Sequence, residues 1–167
     1  MDDKDRKRLI AQYRDGYAAI SEVLLKITPE ELDAKPDAKR WSVREIVHHL
    51  ADSEMTAAVR LRLLLGQDRP TIHGYDQDVF ARRLHYDRPH ETSLEVFRWV
   101  REATAEILER LTPSEWLREG THTEAGPYGV EAWLKTYAEH AHKHARQIRE
   151  ARGAAERQAM GTTDAGA

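Results

Sequence analysis

The stretch Tyr137-Ala-Glu-His-Ala-His-Lys-His144 places three histidines at alternate positions inside a segment of helical periodicity. At about 100° per residue, His140 and His144 fall within roughly 40° of one another, one turn apart. Trp133, Tyr137, Ala141 and Ile148 share their face, so both imidazoles are expected to point into an apolar interior. His142 falls on the opposite face beside Lys135 and Arg149 and is expected in solvent. Two imidazoles one turn apart can aim nitrogens at a single point, as the paired histidines of helical zinc sites do. Two core histidines satisfied by hydrogen bonds would give the same spacing, so a third donor decides between the readings.

An earlier helix offers that donor. Its apolar stripe is Val43, Ile46, Val47, Leu50, Ala57, Leu61, Leu64 and Leu65. His48 points away from Leu50, toward solvent, whereas His49 lies at the border of the stripe beside Ile46 and Ser53. His49, His140 and His144 together would make a three-nitrogen site with open coordination positions, the arrangement of a catalytic rather than a structural metal. Glu54 sits close to the centre of the same stripe, an awkward place for a carboxylate unless it is paired. A structural ion pair or hydrogen bond is the first reading of Glu54, and a general base or a partner to a metal ligand the second. Gln147 follows His144 on its face and could orient a ligand or substrate. Trp133 and Tyr137 read as core, with a pocket lining as the alternative. His73, His85, His90 and His122 lie in loops and are expected to be exposed.

The elements that must position these residues are helices. Ile10, Tyr13, Tyr17, Ile20, Leu24 and Ile27 recur at three- and four-residue steps from Lys4 to Ile27. Thr28-Pro-Glu-Glu31 reads as a capping box with proline at the first helical position, and Ser42-Val-Arg-Glu45 as a second box opening a helix to about Gly66. Pro70, Gly74 and Pro89 punctuate the next region, with a short helix over 76–84. A third long helix spans about Thr92 to Leu111; Thr112-Pro-Ser-Glu115 repeats the earlier punctuation, and a fourth helix runs from Val130 to about Arg152. With no strand pattern, the chain predicts an all-α four-helix bundle over 1–152 with short extra helices and a disordered tail, 153–167. The connection from Gly66 to Glu91 is long enough to cross the bundle, which favours a crossover topology over simple up-down-up-down.

Composition narrows the function. The 167 residues suit one domain, and 33 % charged residues with a net charge of −3 argue against a nucleic-acid binder. Asp2 to Arg8 is charged, unlike a signal peptide, and no run is apolar enough for a membrane span; a cytoplasmic location is expected. There is no cysteine, so any thiol chemistry must use a thiol carried by the substrate. Met55, Val59 and Leu63 form a second apolar strip, to be covered by residues 76–84 or by a second copy of the chain in a homodimer.

Trp41-Ser-Val-Arg-Glu-Ile-Val-His-His-Leu-Ala-Asp-Ser-Glu54, followed by His140-x-x-x-His144-x-x-Gln-Ile148, resembles the DinB/YfiT-like superfamily, its YfiT-like branch above all. The resemblance runs from the first helix to Ile148. It implies a four-helix bundle, often dimeric, that binds a divalent metal through three histidines, here His49, His140 and His144. It implies a metal-dependent small-molecule enzyme: a hydrolase, or a transferase of low-molecular-weight thiols such as bacillithiol, mycothiol or glutathione.

The residues exclude two mechanisms. A zincin needs a glutamate directly after its first histidine, and Ala141 stands there; no serine sits in a glycine-flanked elbow. The expected chemistry is a Lewis-acid metal, zinc or nickel first and iron or manganese next, lowering the pKa of a bound water or substrate thiol. Thiol transfer is the preferred reading, with hydrolysis or non-catalytic metal binding as alternatives. With ordinary histidine pKa values near about 6.5, metal affinity is expected to fall below roughly pH 6.

Overall fold

The computed structural model describes residues 1–37 and 39–163, with side chains described to residue 155. Helix α1 spans Asp3–Val23. Both predicted capping boxes form. Thr28 and Glu31 exchange backbone and side-chain hydrogen bonds to open α2, Pro29–Asp33. Ser42 and Glu45 do the same for α3, Val43–Gly66. Helix α4 is Gln77–Arg83, α5 is Glu91–Leu108 and α6 is Val130–Thr163. Thr112 and Glu115 repeat the capping exchange but open only a 3-10 turn, Glu115–Leu117. Helix α6 continues past its expected stop near Arg152; of the expected tail, residues 164–167 lie outside the described residues.

The four long helices form a four-helix bundle whose directions can be read from side-chain pairs. Arg6 bonds Glu131 and Gln12 bonds Glu139, so α1 and α6 run parallel. His48 meets Ser93 and Glu54 meets Arg101, so α3 and α5 also run parallel. Arg60 reaches Tyr137 while His49 reaches His140, which makes α3 and α6 antiparallel. Adjacent parallel helices cannot be joined by a hairpin; the chain must travel back along the bundle. Residues 67–90 are that crossover, as the length of the connection predicts.

The crossover explains several departures from the sequence reading. It lays strand β1 (Thr71–Ile72) parallel to β2 (Glu119–His122), which pairs antiparallel with β3 (Gly126–Gly129). Strands of two to four residues are too short for alternation to show in sequence. Gly120 is required here, because a Cβ would collide with the Pro70 carbonyl. The returning chain also covers His48. Expected in solvent, His48 is fully buried, its Nδ1 2.7 Å from Ser93 Oγ and its Nε2 3.0 Å from the Arg88 carbonyl. His142 is likewise half-buried, with Nε2 3.0 Å from the Gln12 carbonyl of parallel α1. His73 and His85 are exposed as expected, but His90 and His122 are half-buried. Helix α4 does not cover the second strip of α3: Met55 is 41 % and Val59 57 % exposed.

The interior divides in two. One apolar cluster gathers Tyr13, Leu61, Leu64, Ala105, Trp133 and Leu134; the other gathers Ile20, Ile46, Leu50, Phe97 and Ile148. Between the clusters each long helix departs from the apolar pattern, with Gly16 on α1, Glu54 on α3, Arg101 on α5 and His140 on α6 among the residues there. A polar layer therefore crosses the middle of the bundle.

Candidate metal centre

His49 comes from α3, and His140 and His144 from α6. Ala141 and Ala145, both buried, keep the neighbouring positions of α6 small. His140 Nε2 lies 3.4 Å from His49 Nε2 and 3.2 Å from His144 Nε2. One donor atom from each of the three falls within 4.8 Å of the others, and among the described residues no carboxylate belongs to the cluster.

A neutral imidazole carries one N–H and one lone pair. His144 Nδ1 is 2.9 Å from Gln147 Oε1, so Nδ1 carries the proton and Nε2 turns its lone pair inward. The Nδ1 atoms of His49 and His140 are buried and have no partner among the described residues. Buried polar atoms are ordinarily satisfied, and lone pairs facing one another gain most from a shared cation. Burial, and then the neighbouring His144, lowers the His49 pKa to about 3. Burial lowers His144 to about 4, with Lys143 acting the same way and Gln147 opposing. Burial followed by the charges of His144 and His49 holds His140 well below the ordinary range. All three are held in the neutral form that binds metal. The donor set and its geometry fit a divalent metal.

Aromatic rings frame the cluster. Trp41 lies 4.8 Å from the His49 ring and Tyr137 5.9 Å from that of His140, between centroids. A cleft of about 590 Å³ opens on Trp41, between residues 35–45 and the end of the crossover at Tyr86. Trp133 is core, its Nε1–H donating to the Ala57 carbonyl.

Glu54 takes the structural role that its sequence position favoured. It is fully buried and accepts hydrogen bonds from Tyr13 and Arg101. Burial pushes its carboxyl up while Arg101 and Tyr13 pull it back. Arg101 also donates to the carbonyls of Tyr13 and Tyr137, tying α1, α3 and α6 together. The sequence reading passed over Arg101, although its spacing from Phe97, Ala105 and Leu108 puts it on the buried face of α5. Glu139 bonds Gln12 and Arg146, away from the site.

The model of the DinB superfamily matches residues 12–148, a span that holds all three histidines. The chain belongs to the DinB superfamily. A protein of Oceanobacillus iheyensis named "Putative metal-dependent hydrolase OB0782" is 30 % identical over 139 residues, covering 83 % of this chain and 81 % of that one. A Bacillus mycoides protein of the same description is 26 % identical, covering 83 % and 80 %. Among solved structures, YfiT from Bacillus subtilis, described as a probable metal-dependent hydrolase with an unusual four-helix bundle topology, superposes with a TM-score of 0.85. It is 25 % identical, and the match covers 90 % of this chain and 87 % of that one. The DinB/YfiT-like reading of the sequence thus holds for family and fold.

Proposed function

We propose that this DinB-superfamily chain is a divalent-metal-dependent hydrolase of small molecules, with His49, His140 and His144 as its metal ligands. The observation that carries the proposal is the convergence of three neutral imidazole nitrogens within 4.8 Å, with two Nδ1 atoms left unpartnered behind them. The metal, zinc or nickel before iron or manganese, would supply Lewis-acid activation of a weakly acidic nucleophile. Gln147 fixes the His144 tautomer, Trp41 and Tyr137 pack their rings beside His49 and His140, and the Arg101–Glu54 pair holds α6 against α3. The names of the relatives support hydrolysis.

Transfer of a low-molecular-weight thiol is the second reading. Two carboxylates of α3 are engaged, Glu54 by Arg101 and Asp52 by Tyr86. A nucleophile as acidic as a thiol needs less help from a general base than water does, and a chain without cysteine must receive that thiol from outside. Metal-loaded protein assayed on generic ester and amide substrates, and on an electrophile with a panel of biological thiols, separates the readings. Turnover that needs no thiol and disappears in His140→Ala supports hydrolysis; turnover only with a thiol replaces it with transfer.

The exposed Met55–Val59 strip supports a homodimer, which light scattering at micromolar concentrations tests. Among the described residues no helix is long and apolar enough to cross a membrane; a cytoplasmic location is part of the proposal.

A further inference from the structure

His49, Ser53, Thr56 and Arg60 recur at three- and four-residue steps and share one face of α3. At the Arg60 end of that face gather three tyrosines, Tyr75 from the crossover, Tyr128 from β3 and Tyr137 from α6. The Arg60 guanidinium donates to Tyr137 Oη at 3.2 Å and to the His73 carbonyl, and lies 5.7 Å from the Tyr75 ring centroid. Its Nε is buried and has no partner among the described residues. Among the described residues no carboxylate pairs with Arg60, whereas Arg14, Arg44, Arg101 and Arg152 each hold one. A half-buried guanidinium with no counter-charge is costly, and an anion accepting from the outer N–H groups that Tyr137 and the His73 carbonyl leave free offsets that cost.

The place of this group gives it a purpose. Tyr137, whose hydroxyl Arg60 holds, packs its ring against His140. Tyr137 and His140 are separated by about 4.5 Å of helix rise. We propose that Arg60, with Tyr75 and Tyr137, anchors a carboxylate of the substrate at the end remote from the group that reacts at the histidine cluster. The substrate class is therefore an anionic molecule with its reactive group and carboxylate at opposite ends. The inference rests on the metal-centre reading above, and its test separates the two.

Cobalt(II)-loaded protein is titrated with ω-mercaptocarboxylates and ω-mercaptoalcohols of matched chain length, followed by the thiolate-to-cobalt absorption band. The carboxylate series is expected to bind about ten- to a hundredfold more tightly at its best length. Arg60→Met should bring the two series together by weakening the carboxylates alone, and Arg60→Lys should keep part of the preference. Equal affinities in the unmodified protein, or a preference that survives Arg60→Met, overturns the anchor while leaving the metal centre standing. The comparison within the unmodified protein stands even if Arg60→Met does not fold. Failure of cobalt to bind overturns the metal centre and the anchor with it; cobalt that binds without a band from either series overturns the anchor while leaving the metal centre standing.

Discussion

Two polar clusters share the middle layer of the bundle, and they are built on opposite principles. In the Tyr13–Glu54–Arg101 cluster, opposite charges meet and the surplus guanidinium protons go to backbone carbonyls. In the His49–His140–His144 cluster, like groups face one another, two ring nitrogens have no partner and burial holds all three pKa values down. Both sit among apolar residues and both join α3 to α6. Burial alone therefore does not mark a functional site. The polar group left incomplete by its own chain does, because folding has met its desolvation cost without supplying its partner.

The sharpest way to break this contrast is to replace one member of each cluster by leucine. Glu54→Leu strands Arg101 and should lower unfolding free energy by about 3–5 kcal/mol. His140→Leu removes an imidazole that lacks a partner, and metal-free stability should change by no more than about 1 kcal/mol. Chemical denaturation of both variants without metal measures the difference; equal losses would show that the histidine cluster is also a structural network.

Protons probe the same contrast with the next largest effect. The folded pKa values of His49 and His144, about 3 and about 4, lie below the unfolded value near about 6.5, so the unfolded chain binds more protons in between. Stability present above about pH 6.5 is lost as pH falls toward these folded values, by roughly 2 kcal/mol per histidine at pH 5 in the metal-free protein. These shifts change the pH dependence to be expected of metal affinity. Histidines with ordinary values would lose roughly ten-thousandfold in affinity between pH 7.5 and pH 5, whereas histidines already held neutral should lose about tenfold or less. Calorimetric titration of zinc at the two pH values distinguishes these outcomes, and a chelator should lower the melting temperature at both.

A smaller effect tests how the cluster is oriented. Gln147→Leu frees the His144 ring without removing a donor, and metal affinity should fall about tenfold, within the range for loss of a group that orients a ligand. Competition against a chelator of known affinity reads this change. An unaltered affinity would mean that Gln147 has no part in presenting His144.

Much of this was legible in the sequence because it depends on periodicity along single helices. The capping box at Ser42 and Glu45, the stripe of α3 and the shared face of His140 and His144 needed only local geometry. Even the crossover could be inferred from the length of one connection. Features made by one segment lying on another could not be read. His48 looked solvated because nothing in its own helix shows that Ser93 and the Arg88 carbonyl will close over it. Glu54 was recognisable as needing a partner, but the partner stood on α5, forty-seven residues away. The lowered histidine pKa values likewise depend on burial by neighbouring helices, which periodicity along one helix does not show.

Metal content measured by elemental analysis on purified wild-type protein and five single alanine variants tests the central claim most directly. His49→Ala, His140→Ala and His144→Ala should each lose stoichiometric metal, while His48→Ala and His142→Ala should keep it. Full retention of metal by folded His140→Ala, or its loss from His142→Ala alone, would contradict the assignment of the site.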